Sequence, residues 1–124
     1  MAKARPKHLN LFVIKQPITA IASIMHRVSG MVLFLFTALF LWLLQRSIAS
    51  PESFAALKEQ IANPIVKIVL FALLWGYLHH FFAGLKHLAF DVHVGADIPT
   101  AKVFAALVFV FSIGLTLLAV VTLW

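Results

Sequence analysis

The sequence predicts an all-α membrane protein with three transmembrane helices. Of its 124 residues, 63% are hydrophobic and only 11% are charged. A small soluble chain buries only about two-thirds of its unfolded surface, so a soluble fold would leave a large apolar patch in water. The apolar residues also form three long uncharged runs, two of 18 residues and a final one of 22. Runs of this length can cross most or all of a bilayer as helices.

The uncharged runs and their flanking residues define one membrane domain over residues 1–124. Helix is required because a strand edge in lipid would leave backbone N–H and C=O groups without partners. The predicted spans lie at approximately 18–46, 64–89 and 100–124.

The connectors contain residues that begin and end helices. Ser50-Pro51 predicts an N-cap followed by proline at the first helical position, which opens a short amphipathic segment at the interface over 51–62. Asn63-Pro64 repeats this pattern before the second span. Gly95 and Pro99 are expected to break the chain before the third span.

The distribution of basic residues predicts the orientation. Seven Lys and Arg residues lie on the side of the N-terminus and the second connector, and three lie on the other side. Because Lys and Arg are retained on the cytoplasmic face, the N-terminus is expected in the cytoplasm. The net charge of +6 does not indicate nucleic-acid binding, since the basic residues lie between apolar runs and form no patch.

Several site classes are excluded by composition. The chain has no cysteine, which removes disulfides, iron–sulfur ligation and thiolate metal sites. Its four carboxylates form no acid and base pair within a span, so no hydrolytic or transferase centre is expected. A metal in this protein must be bound by histidine.

The first unusual polar group lies at the start of span one, in PITAIASIMHRVSG at residues 17–30. An arginine near the bilayer centre costs about 2.5–3.5 kcal/mol, so Arg27 should face protein, water or an anionic partner. Ser23 shares the helix face of Arg27, with Ile24 flanking them. The alternative is that Arg27 extends to the cytoplasmic interface and Ser23 bonds its own backbone.

Span two contains two adjacent histidines, His79 and His80, followed by His87. Gly76 and Gly84 flank His80 on one helix face, which would let a large flat ligand such as a porphyrin lie close to the backbone. From spacing alone, a helix-packing glycine pair with a hydrogen-bonded histidine remains the alternative.

One helix cannot supply both axial ligands of a haem, because the two nitrogens approach the iron from opposite sides. His80 and His87 therefore do not form a six-coordinate site together, and His26 is a poor candidate for the second ligand. We expect another subunit to supply it. His79 lies about 100° around the helix from His80 and is expected to hydrogen-bond a neighbouring helix.

Two motifs in combination resemble one known family. Residues 17–30 contain S-x-x-H-R-x-S-G, and span two contains H-x3-G-x2-H-x3-D, formed by His80, Gly84, His87 and Asp91. With the length and three-span layout, they closely resemble the cytochrome b556 subunit of succinate dehydrogenase, the larger membrane anchor of respiratory complex II. Arg5-Pro6 fits the amino-terminal segment of that family, so the resemblance covers essentially the whole chain.

The resemblance implies specific site residues. His80 would be an axial ligand of haem b and so bind the haem iron, with a histidine of the second anchor as the other ligand. Ser23, Ile24 and Arg27 would line the ubiquinone site. His26 and Arg27 would be candidate partners of the haem propionates, and no residue would be catalytic.

The implied function is a non-catalytic membrane anchor of a succinate dehydrogenase (quinone) complex that contributes to the quinone site. It would act in electron transfer in the respiratory chain and citric acid cycle. The expected partners are a second membrane-anchor subunit that completes the helix bundle, an iron–sulfur subunit, a flavoprotein subunit, ubiquinone and membrane lipid. The expected location is a bacterial inner membrane, since no organellar presequence precedes the matching region, and a processed mitochondrial chain is the alternative.

Two other functions remain open. One is a haem-free structural anchor of a fumarate reductase-like complex, whose histidines only form hydrogen bonds. The other is a histidine-lined metal or proton transporter. Three spans and one short histidine cluster are sparse for that function.

Overall fold

The computed structural model describes residues 13–124, and every regular element in this range is an α-helix. Three of the helices are long and apolar enough to cross a membrane: α1 (Ile18–Leu35), α4 (Pro64–Asp91) and α5 (Ile98–Leu123). This confirms the predicted all-α class with three membrane spans. The Arg5-Pro6 pair and the other basic residues before position 13 lie outside the described residues. Between α1 and α4 lie α2 (Thr37–Ala49) and α3 (Pro51–Ala62).

The first span, predicted as continuous over 18–46, is divided at Phe36, whose backbone has φ −89° and ψ 2°. The hydroxyl of Thr37 donates to the carbonyl of Leu33 at 3.0 Å. The same kind of bond, from Thr116 to the Ser112 carbonyl at 2.7 Å, occurs within the continuous α5, so the Thr37 bond accompanies the break without being sufficient to cause it. Beyond the break, α2 packs against α3, and its backbone does not approach α4.

The predicted helix caps are present at both ends of α3. Ser50 Oγ accepts a hydrogen bond from the Ser53 N–H at 3.1 Å, with Pro51 at the first helical position. Asn63 Oδ1 accepts from the Ile65 N–H at 2.9 Å and begins α4. Each side chain satisfies a donor that the helix itself leaves free.

The turn between α4 and α5 contains two left-handed residues, His93 with φ 64° and Gly95 with φ 73°. A Cβ on Gly95 would lie 2.6 Å from Cε2 of Phe104, so both the backbone and the space require glycine there. Asp97 then caps α5, with Oδ2 accepting from the Thr100 N–H at 3.0 Å and the Thr100 hydroxyl at 2.8 Å.

Helices α1, α4 and α5 pack together around small buried residues. Ala22, Ala83 and Ala105 contribute one from each helix, and all three are 0% exposed. Small side chains at these positions let the helix backbones approach closely, as in other membrane bundles. Most large apolar side chains lie on the outside of this core, where lipid or neighbouring helices can cover them.

Candidate functional site

Three imidazoles meet where α1 crosses α4. The ring of His26 on α1 stacks on His80 of α4, with centroids 4.2 Å apart and 18° between the ring planes. The His87 ring lies 5.1 Å from the His26 ring and is tilted by 38°. The antiparallel packing of the two helices brings these residues together. Within residues 13–124, no three His, Asp or Glu side chains are arranged to hold a metal ion by themselves.

The hydrogen bonds of His80 determine which ring nitrogen is free. Nδ1 lies 3.0 Å from the backbone carbonyl oxygen of His26 and 3.3 Å from Oγ of Ser29. The Ser29 hydroxyl donates to the same carbonyl at 2.9 Å. Because a carbonyl only accepts, Nδ1 carries the proton and Nε2 keeps its lone pair. A histidine that binds a metal adopts this state, with its other nitrogen bonded to a carbonyl.

The position of the His80 ring also depends on Gly30. A Cβ at residue 30 would lie 2.7 Å from Cε1 and 3.2 Å from Nδ1 of His80. The first distance is too short for any real contact, so the ring occupies space that a side chain would otherwise fill.

His80 lines a groove of about 390 Å³ between α4 and the segment where α1 meets α2. Its other walls include Leu33, Phe34, Tyr77 and Phe81. Within the described residues, the groove therefore combines aromatic and aliphatic walls with one imidazole whose Nε2 has no protein partner. These features fit one face of a haem, which needs an apolar pocket and an axial nitrogen.

The two glycines that flank His80 differ in their surroundings. Nothing lies within 4 Å of a Cβ built on Gly76, so that side of His80 is open. At Gly84, the Nε2 atom of His26 lies 3.8 Å from the corresponding position. The helix face on which a flat ligand was predicted to lie is therefore open at Gly76, whereas the His26 ring covers it at Gly84.

The predicted quinone residues lie on α1 at the same end of the bundle as the histidines. Ser23 is half-buried, Arg27 is exposed and Ile24 is 41% exposed. Ser29 and Ser112 each donate to the carbonyl three residues earlier. The Ser23 hydroxyl makes no such bond within the described residues, so the alternative in which it bonds its own backbone is not observed.

Comparison with known proteins identifies the family. A family model described as "Succinate dehydrogenase/Fumarate reductase transmembrane subunit" matches residues 1–119. The chain belongs to this family. The "Succinate dehydrogenase cytochrome b556 subunit" of Coxiella burnetii is 40% identical over 125 residues, which cover 100% of both chains. The protein of the same name from Paracoccus denitrificans is 35% identical, over 96% of this chain and 89% of its own.

Membership in this transmembrane family and the three long apolar helices establish a multi-pass membrane protein. The protein of the same name from Rickettsia felis is 34% identical, over 92% of this chain and 89% of its own. The resemblance predicted from the two motifs is therefore confirmed.

The two adjacent histidines of this family member have different environments. His79 is 0% exposed and packs against Trp75 and Phe109, with ring centroids at 5.5 and 5.0 Å. The carbonyl of Ala22 on α1 lies nearby, but neither ring nitrogen of His79 has a hydrogen-bond partner within the described residues. The Ala22 carbonyl is the acceptor on a neighbouring helix that the predicted bond would use, and that bond stays a prediction. His79 is enclosed by the bundle, and of the two only His80 lines the groove.

Lys86 is buried, which the sequence did not predict. It bounds an uncharged run, yet only 6% of its surface is exposed. Its Nζ lies 5.6 Å from the centre of the Phe90 ring, a cation–π distance. Asp91, one turn after His87, is exposed, which fits a solvated carboxylate.

Proposed function

We propose that this chain is the haem-binding membrane anchor of a succinate:quinone oxidoreductase and forms part of its ubiquinone-reduction site. The observation that carries the proposal is the state of His80. Its Nδ1 proton is held by the His26 carbonyl at 3.0 Å, and its ring borders an apolar groove. The relatives' shared name, cytochrome b556 subunit, supports a b-type haem.

Haem b supplies one-electron transfer when it is bound. In this chain, His80 would bind its iron, and a histidine of the second anchor would supply the other ligand. His26 and Arg27 are the candidates to hold the propionates. A guanidinium suits this role because its N–H groups can donate two parallel bonds to a carboxylate.

The quinone site is formed by one stretch of α1. The Ser23 hydroxyl donates a hydrogen bond to a quinone carbonyl oxygen, and the Arg27 guanidinium stabilises the negative charge that develops there during reduction. Ile24 provides an apolar contact for the ring. Ser23 and Arg27 are one helical turn apart, so they act from the same face of α1.

The remaining chemistry belongs to other subunits. This chain has no cysteine, so an iron–sulfur subunit relays the electrons and a flavoprotein oxidises succinate. Residues 1–124 form one membrane-anchor domain that completes a helix bundle with the second anchor. The charge distribution supports an N-terminus in the cytoplasm, and the bacterial relatives support a bacterial inner membrane. His80 and Ser23 then lie towards the side on which the soluble subunits dock.

The test is a reduced-minus-oxidised absorption spectrum of the purified complex, with succinate as the reductant. We expect a six-coordinate b-type haem in the wild type and a lost or altered spectrum in His80→Ala. His93→Asn is the matched control, because His93 is exposed and asparagine tolerates its left-handed backbone. An unchanged spectrum in His80→Ala would remove this residue as the ligand. A wild-type complex without haem would favour the haem-free anchor of a fumarate reductase-like complex, and the family description also names fumarate reductase.

A further inference from the structure

We infer that Ser29 and Gly30 are positioning residues for the haem ligand and set the orientation of the His80 ring and the electron donation of its Nε2. This inference rests on the proposed function, in which His80 binds the haem iron. Neither residue binds the iron itself. Ser29 lies at the Nδ1 edge of the ring at 3.3 Å, and a Cβ on Gly30 would lie closest to Cε1, between the two nitrogens.

The hydroxyl of Ser29 completes the hydrogen bonds around Nδ1 of His80. Its only proton is donated to the His26 carbonyl at 2.9 Å, so its oxygen presents lone pairs to the Nδ1–H at 3.3 Å. The Nδ1 proton is therefore shared between the Ser29 oxygen and the His26 carbonyl. Acceptors at this position increase the basicity of the nitrogen that binds the metal.

Gly30 controls the position of the ring rather than its charge distribution. A Cβ at residue 30 would lie 2.7 Å from Cε1 of His80, so an alanine there requires the ring or the helix to move. The ring has little freedom, because its Nδ1 is bonded to α1 and one face is stacked on His26 at 4.2 Å. The expected consequence is a displaced imidazole.

Ser112 on α5 provides a control that distinguishes a role in positioning His80 from a role in helix packing alone. Both serines are buried: Ser112 is 0% exposed and Ser29 is 5% exposed. The Ser112 hydroxyl also donates to the carbonyl three residues earlier, at 3.2 Å. Within the described residues, it makes no bond to an imidazole. Loss of the Ser112 hydroxyl removes the same kind of backbone bond without touching His80.

The test uses the complete purified complex and two readouts other than turnover. The first is the midpoint potential of the haem in a redox titration. Ser29→Ala is expected to raise it, because the weaker donor nitrogen stabilises ferric iron less. Ser29→Thr, which keeps the hydroxyl, should return the potential towards wild type, and Ser112→Ala should leave it unchanged.

The second readout is carbon monoxide binding to the reduced haem. A haem with two firmly held histidines does not bind carbon monoxide, whereas Gly30→Ala is expected to bind it in a substantial fraction of the complex. If Gly30→Ala does not assemble, the Ser29 series decides alone. A wild-type potential in Ser29→Ala overturns the role of Ser29, and an equal shift in Ser112→Ala shows a merely structural effect. Assembled Gly30→Ala without carbon monoxide binding overturns the role of Gly30.

The haem spectrum of His80→Ala distinguishes failure of the proposed ligand from failure of the positioning roles of Ser29 and Gly30. If its haem spectrum is unchanged, the proposed ligand is wrong and the positioning inference fails with it. If His80→Ala loses the spectrum while the Ser29 and Gly30 variants retain wild-type properties, only the positioning inference is overturned.

Discussion

The imidazole of His26 is stacked on that of His80, with ring centroids 4.2 Å apart and 18° between their planes. The ligating nitrogens of an imidazole point outward in the plane of the ring. Two stacked rings therefore cannot approach one iron from opposite sides. This geometry supports the expectation that this chain provides one axial ligand and that another subunit provides the second.

His26→Ala is expected to retain a six-coordinate low-spin haem. The substitution removes the stacked ring, but the acceptor that holds Nδ1 of His80 is the backbone carbonyl of residue 26, which remains. Absorption and electron paramagnetic resonance spectra of the purified complex measure this directly. A high-spin haem in His26→Ala would contradict the single-ligand arrangement.

Ser23→Ala and Arg27→Gln are each expected to slow ubiquinone reduction by roughly 10- to 150-fold. Hydrogen bonds that involve a charged group contribute about 1.5–3 kcal/mol, which corresponds to this range of rates. Reduction of an artificial dye by the soluble subunits should change little, so the comparison of the two assays is the measurement. Ser47→Ala on α2 is a control, since its hydroxyl bonds the Leu44 carbonyl at 2.7 Å. Equal losses in both assays would argue against a quinone site on α1.

His79→Phe is expected to stabilise the protein by about 1–3 kcal/mol, the typical cost of burying a polar group without a partner. His79 is fully enclosed among aromatic rings, and both its nitrogens lack partners within the described residues. The midpoint of thermal unfolding of the detergent-solubilised complex should rise while the haem spectrum is retained. Loss of the haem in this variant would transfer the ligand role from His80 to His79.

Gly95→Ala is expected to destabilise the protein and so lower its unfolding midpoint. The left-handed backbone alone costs about 1–2 kcal/mol of unfolding free energy. The contact with Phe104 adds to this cost. Gly114→Ala in α5 is the matched control, because nothing lies within 4 Å of the added Cβ and alanine favours helix. A Gly95→Ala protein as stable as Gly114→Ala would show that the turn adopts another backbone conformation.

The N-cap of α5 is expected to make stability depend on pH. Hydrogen bonds from the Thr100 backbone N–H and hydroxyl lower the pKa of Asp97 below its ordinary value. Because the pKa is lower in the folded state, the stabilisation is present above the unfolded pKa and is lost as pH falls through the folded pKa. Asp97→Asn keeps a neutral cap, so the advantage of wild type in unfolding midpoint should disappear on acidification. A constant difference between the two proteins across that pH range would contradict this role.

Several features were predictable because they depend on neighbouring residues in the chain. The uncharged runs determine the spanning helices, since no backbone other than a helix satisfies its own hydrogen bonds in lipid. Ser50-Pro51 and Asn63-Pro64 act within a single turn, so their capping bonds follow from local sequence. The break at Phe36 was not predicted, because residues 31–49 contain no glycine or proline to mark it.

The sequence by itself determined the class of protein, the spanning helices, the family motifs and the histidines worth testing. Only the tertiary structure showed that His79 is enclosed and that His80 borders the groove, and it placed Ser29 and Gly30 against the His80 ring. Adjacent helical residues differ by about 100° in direction, so their environments depend on which helix packs on each face. That choice is made by residues far apart in the chain, through close approach of α1, α4 and α5 at small side chains.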